Sequence, residues 1–177
     1  MNQNFKDLRI LSIAPSARGF GFALIEGQKL INWGSKKVEG KGDENKNMES
    51  LKKVDILIHQ WQPAIITTQD ANAKDSQRRP RIRELVPQIV ALARTRNVKV
   101  KLVSRSQMKR VFFEEKGTKY DLAKLLAEWY PDELANRLPR KRRLWESERR
   151  SMDIFDAVAL AVGLSLLQEI NLRSGEI

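Results

Sequence analysis

The stretch that most limits the folds open to this chain is Arg9 to Gly34, RILSIAPSARGFGFALIEGQKLINWG. Arg9 to Ala14 is an apolar run rich in Leu and Ile, Phe20 to Ile25 is a second run, and Leu30 to Trp33 begins a third. Short apolar runs bounded by turn residues suit buried strands. The breaks, Pro15 to Gly19 and Glu26 to Lys29, carry the Gly or Pro that tight connections need. Three consecutive antiparallel strands are therefore predicted, and the rest of the chain must supply the layers that cover them.

Beyond Gly34 the chain is mostly helical in pattern. Ser35 to Asn47 is polar, contains Gly40 and Gly42, and reads as a loop that can extend a strand over Lys36 to Glu39. Met48, Leu51, Val54, Ile58 and Trp61 recur at three- and four-residue steps, which predicts an amphipathic helix ending before Pro63. Ala64 to Thr68 is a β-branched run suited to a buried strand and leads into Gln69 and Asp70. Ala71 to Pro80 is polar and expected to be mobile. Pro80 opens a helix whose inward face is Ile82, Leu85, Val86, Ile89, Val90 and Ala93, and Pro87 is expected to kink or divide it.

Val98 to Val103 alternates apolar and basic residues like a half-exposed strand. Ser104 with Gln107 has the spacing of a capping box for a short helix through Phe112, and Thr118 with Asp121 resembles a second cap. Leu122, Leu125, Leu126 and Trp129 form the stripe of the helix after it. Pro131 to Arg150 reads as a long basic connection. Ser151 then caps a last helix, Met152 to about Leu172, apolar on nearly every face and hence buried. This order predicts one α/β domain over residues 1–177, built on a mixed sheet flanked by helices.

The 177 residues carry a net charge of +11, an excess that points to a polyanionic partner, nucleic acid first among them. The chain has no cysteine, which excludes disulfides, thiolate zinc sites and a Cys nucleophile. Its one histidine, His59, reads as exposed or capping near a helix end, and cannot alone make a His-based metal site. No stretch has the length of a membrane span, and MNQNFKDL lacks an apolar signal core, so a cytoplasmic protein is expected.

The chemistry-bearing residues are acids set among cations. Asp153 and Asp156 lie three apart at the start of the apolar helix, so both point the same way. Two like charges there need a cation or donors to compensate them. The helix dipole accounts for Asp153, whereas Asp156 is flanked by core-like Phe155 and Ala157. Asp70 follows a buried strand directly, where side chains emerge at a sheet edge, and can equally serve as a turn-forming Asp. The cations fall in three groups: Arg78, Arg79, Arg81 and Arg83; Lys109, Arg110, Lys116 and Lys119; and Arg140, Lys141, Arg142 and Arg143, with Arg149 and Arg150 beyond. Each lies next in sequence to a candidate acid or a loop beside one, the layout of a surface that holds phosphates around an acidic pocket.

Taken together, ILSIAPSARGFGFALIEG, PAIITTQD, VSRSQMKRVF with GTKYDLAKLL, and DIFDAVALAVG resemble the RuvC-type Holliday junction resolvases of the RNase H-like superfamily, over nearly the whole chain. The resemblance implies a mixed five-stranded sheet and a structure-selective endonuclease acting on branched DNA as a homodimer. It also implies two Mg²⁺ or Mn²⁺ ions per site, held by carboxylates. Asp153 and Asp156 match the pair on the last helix, and the acid after the fourth strand falls at Gln69 or Asp70. Asp70, Asp153 and Asp156 are thus the expected metal ligands, with Lys116 or Lys119 as phosphate clamp or transition-state stabiliser. The first-strand acid is not matched: Ala14 stands where the family carries Asp, so this chain is divergent or inactivated there. Metal binding is expected to be weakened and cleavage impaired. The alternative is a non-catalytic protein of the same fold that binds branched DNA or RNA. Exposed apolar residues on the helix after Pro80 are the expected dimer contact.

Overall fold

A computed structural model describes residues 8–113 and 117–174, with side chains as far as Asn171. The three predicted strands are β1 (Arg9–Ser16), β2 (Gly19–Glu26) and β3 (Lys29–Lys37), paired antiparallel in sequence. β4 (Ile65–Gln69) adds parallel to β1, and β5 (Lys99–Val103) parallel to β4, giving the order β3-β2-β1-β4-β5. This is the mixed five-stranded sheet expected. Strand β1 lies at its centre because its residues are buried on both faces, whereas β5 is a mostly exposed edge.

The pleat sorts the core into two layers. Leu11 and Ile13 of β1, with Phe20, Phe22 and Leu24 of β2, face helices α1 (Asp43–Trp61) and α2 (Pro80–Thr95). Ile10 and Ala14 of β1, with Ala23 and Ile25 of β2, face the last helix, α6 (Met152–Ser174), with α4 (Lys119–Trp129) on the same side. The remaining helical pieces are α3 (Arg105–Phe112), the short α5 (Pro131–Leu134) and a 3₁₀ turn at Ala135–Arg137.

Two contacts fix α6 on the sheet. The buried Ser12 hydroxyl donates to the Ala157 carbonyl at 2.6 Å. Gly21 lies so close to the first turn that a Cβ there would come within 1.8 Å of the Asp153 carbonyl oxygen.

Local chemistry explains the helix starts. Ser104 and Gln107 form the capping box of α3, and Thr118 and Asp121 that of α4. Several expectations are corrected. Helix α1 begins at Asp43, inside the expected loop, and turns Asn47 and Ser50 inward while Met48 is half exposed. Asn47 is drawn in because its side chain bonds Arg81. Pro87 does not divide α2, whose residues are helical throughout.

The apolar stripe of α2 faces the core as expected: Ile82, Leu85, Val86, Ile89 and Ala93 are buried. The Ala71–Pro80 segment is tied down, with Ala71 fully buried and the Asp75 carboxylate accepting the Ser106 N–H at 2.8 Å. The Pro131–Arg150 connection contains α5, whose Leu134 is fully buried. Among the described residues, no helix is long and apolar enough to cross a membrane.

Candidate nucleic-acid interface

The parallel pairing of β1 with β4 sets Ile13 beside Thr68, and the next step along both strands brings Ala14 abreast of Gln69. Both face α6 and line a cleft of about 360 Å³ at the carboxyl ends of the strands. Its cationic wall is Arg78, Arg105, Lys109 and Lys119, its apolar floor includes Met108, Phe113 and Leu122, and Asp156 reaches it from α6.

Asp70 is the next residue along the pleat and therefore faces away. Its carboxylate accepts the N–H of Asn72 at 3.0 Å, a local turn bond, and its own N–H donates to the Val103 carbonyl at 2.9 Å. Asp70 does not line the cleft, and the side chain that does is Gln69. Its amide oxygen is already taken: the Arg78 Nε donates to it at 2.8 Å, and a second N–H of the same guanidinium bonds it as well. Arg78 also reaches the Pro15 carbonyl at 3.4 Å, bridging the ends of β1 and β4.

The acids of α6 are likewise engaged. Asp153 accepts a bond from the Ser16 hydroxyl at 2.8 Å. Asp156 Oδ2 lies 2.6 Å from the Lys119 ammonium, which also sits 2.6 Å from Glu148 Oε1. Burial pushes both Asp153 and Asp156 above the usual carboxylate range; the Ser16 bond opposes this at Asp153, and the Lys119 charge opposes it at Asp156. Burial works against the charge of Lys119, but Asp156 and Glu148 outweigh it and hold that group above its ordinary value.

The expected cations divide. Arg79, Arg83, Lys109, Arg110, Lys141 and Arg142 are exposed. Arg140 is paired with Glu146 at 2.5 Å, and Arg143 lies over the Trp145 ring. Arg81, expected on the phosphate-binding surface, is instead buried to 6% exposure. It donates to Asn47 Oδ1 at 2.9 Å and to the Ser16 carbonyl, holding α1 and α2 to the end of β1. Lys116 lies outside the described residues.

Sequence reasoning missed Arg105, at the first position of α3, and Glu148, the second partner of Lys119. The position of Arg105 just beyond β5 and its cap was a usable signal. Glu148 carried none, because it meets Lys119 only through the fold.

The donor set does not fit the two-cation arrangement that the resemblance implies. Of the four acid positions, Ala14 and Gln69 carry no charge, and the oxygens of Gln69 and Asp156 already face a guanidinium and an ammonium. Like unit charges 4 Å apart repel by about 4 kcal/mol at an effective dielectric of about 20, so fixed cations there oppose divalent ions. Among the described residues, no three His, Cys, Asp or Glu side chains come together in a way that suits a metal ion.

Solved structures share this architecture. The Thermus thermophilus RuvC structure matches with a TM-score of 0.69 at 14% identity, over 93% of this chain and 97% of that one. T. thermophilus RuvC in complex with Holliday junction substrate matches at 0.66 and 15% identity, over 92% and 96%. The yeast mitochondrial Holliday junction resolvase Ydc2 matches at 0.64 and 16% identity, over 99% and 87%. No family model matches the sequence, nor does any curated protein. At these identities the likeness is one of fold: this chain has the RuvC-like, RNase H-like fold.

Proposed function

From this RuvC-like fold, we propose that the protein recognises branched DNA as a binding protein, using the cationic face around the cleft, and does not cut it by two-metal hydrolysis. The single observation that carries this reading is the composition of the cleft. Four basic side chains wall it, while the positions that would hold metal carry Ala14, the Gln69–Arg78 pair and the Lys119–Asp156 pair. A surface of that charge attracts phosphates and gains affinity by releasing their counterions. The T. thermophilus protein of this fold was solved with a Holliday junction substrate, which supports a branched partner here.

In this reading Arg105 and Lys109 contact phosphates directly, being exposed and on one helix. Arg78 and Lys119 serve chiefly to neutralise and shape the floor. Neither needs a metal to keep its place. A homodimer presenting two such faces suits a four-way junction, and the dimer is part of the proposal.

An endonuclease is the second reading. One observation favours it: Asp153 and Asp156 stay together at the start of α6, at the cost of burial that raises both. One experiment separates the two. Fluorescence anisotropy would measure affinity for four-way junction, duplex and single strand across salt, with the same substrates incubated in Mg²⁺ and Mn²⁺ and run on a denaturing gel. Junction preference with a steep salt dependence and no cleavage is expected. Metal-dependent incision of the junction would overturn the binding-only reading, and equal affinity for junction and duplex would overturn the branched partner.

A further inference from the structure

Leu144 and Trp145 are the most exposed large apolar residues among those described, at 100% and 78%. They stand together at the apex of a locked turn. The Glu146 N–H donates to the Arg143 carbonyl at 3.1 Å, which makes Leu144 and Trp145 the two central residues. The Glu146 carboxylate closes the same turn from the side, accepting the Arg143 N–H at 3.1 Å and the Arg140 guanidinium at 2.5 Å. Two residues on, Glu148 is anchored twice: its carboxylate to Lys119 at the cleft, and its carbonyl to Arg18 at 2.6 Å. The segment that follows the apex is therefore tied to Lys119 on the cleft wall.

Turn centres ordinarily carry Gly, Asn, Asp, Ser or Pro, residues that suit the backbone and water alike. A Leu-Trp pair there gains nothing for the fold and exposes apolar surface. Its surroundings indicate the partner. Arg140, Lys141, Arg142 and Arg143 precede or begin the turn, Arg149 and Arg150 come after it, and the Arg143 guanidinium carbon lies 5.7 Å from the Trp145 ring centre. An apolar protein partner would have no use for that charge. An intact duplex offers phosphates but hides its base faces. Unpaired nucleotides offer both a flat base and a phosphate chain.

We infer that the Leu144–Trp145 apex stacks on an exposed base at a branch point or unpaired stretch of nucleic acid, with the neighbouring arginines on its phosphates. This rests on the nucleic-acid reading of the cleft and adds to it the feature that is recognised. Stacking of this kind is sequence-tolerant, since every base presents a π-face.

The test compares the full chain with its Trp145→Ala and Trp145→Phe variants on three probes: four-way junction, duplex with a central unpaired bubble, and uninterrupted duplex. Trp145→Ala is expected to weaken junction and bubble binding by about ten-fold, leaving uninterrupted-duplex affinity and its salt slope unchanged. Trp145→Phe is expected to restore most of the loss, because a ring returns. Unchanged junction and bubble affinity in Trp145→Ala overturns the inference, as does an equal loss on all three probes. A change of oligomeric state in Trp145→Ala by sedimentation, with binding unaltered, also overturns it and assigns the apex to contact between copies. If the wild-type chain binds junction and duplex alike while Trp145→Ala still loses the bubble, the branched-DNA reading fails and the stacking inference stands.

Discussion

The Lys119 ammonium lies 2.6 Å from Asp156 Oδ2 and equally 2.6 Å from Glu148 Oε1, so one side chain of α4 balances two carboxylates across the cleft. Burial raises Asp156, and Lys119 is the main influence drawing it down. Lys119→Met removes that influence, so the Asp156 pKa climbs further. A carboxylate whose folded value stands above its unfolded value near 3.8 favours the fold below that pH and loses the benefit as pH rises through the folded value. The variant should therefore match the wild type below about pH 4 and fall behind toward neutrality. Because Lys119 is half exposed, the deficit should be about 1 kcal/mol, well short of a fully buried pair. Thermal midpoints from about pH 3.5 to about pH 8 check this, and a deficit independent of pH would refute it.

Restoring the first-strand acid alone should not restore a metal site. In Ala14→Asp the new carboxylate meets a Gln69 that is uncharged and bonded to Arg78. Isothermal titration of wild type and Ala14→Asp with Mg²⁺ or Mn²⁺ should show no specific binding. A triple variant, Ala14→Asp with Gln69→Glu and Arg78→Ala, supplies two acids and removes one fixed cation. It should show specific Mn²⁺ binding under conditions where the single variant shows none. Metal-dependent cleavage by Ala14→Asp alone would show that Gln69 is no obstacle.

Arg105 and Lys109 should act through phosphates. The variant Arg105→Ala with Lys109→Ala should weaken binding to junction and duplex alike and reduce the slope of log K against log salt by about 2. Arg81→Ala provides the contrast, since Arg81 is buried and bonded to Asn47 and Ser16. It should lower stability in urea titration and leave the salt slope of the folded protein unchanged.

Gly21 should be intolerant of any side chain. A Cβ at this position would meet the Asp153 carbonyl oxygen at 1.8 Å, a backbone atom that moves only if α6 moves. Gly21→Ala should therefore cost about 3 kcal/mol in urea unfolding, at the upper end for an overpacked core. Gly42→Ala meets no atom within 4 Å and tests instead only the positive φ of that residue, so its cost should be the smaller of the two.

The meander, the two capping boxes and the buried last helix were legible in the sequence, because each is written in neighbouring residues. Turn residues bound the strands, Ser104 and Thr118 meet partners three positions on, and the apolar run from Ile154 to Leu164 of α6 suits only a buried position. The sequence also set clusters of cations near Asp153 and Asp156 and an uncharged Ala14 on the first strand.

Only the tertiary structure decided which residue stands beside Ala14. The choice between Gln69 and Asp70 depends on the register of β1 with β4, strands about 50 residues apart in the chain, where one step reverses the face. The same holds for the cations. Arg78 meets Gln69 and Lys119 meets Asp156 across 9 and 37 residues, and Arg81 turns inward because Asn47 and the end of β1 offer it acceptors. Local pattern determined the elements; the meeting of distant strand ends and helix starts decided that Gln69 and Asp156 in the cleft are paired with the chain's own cations.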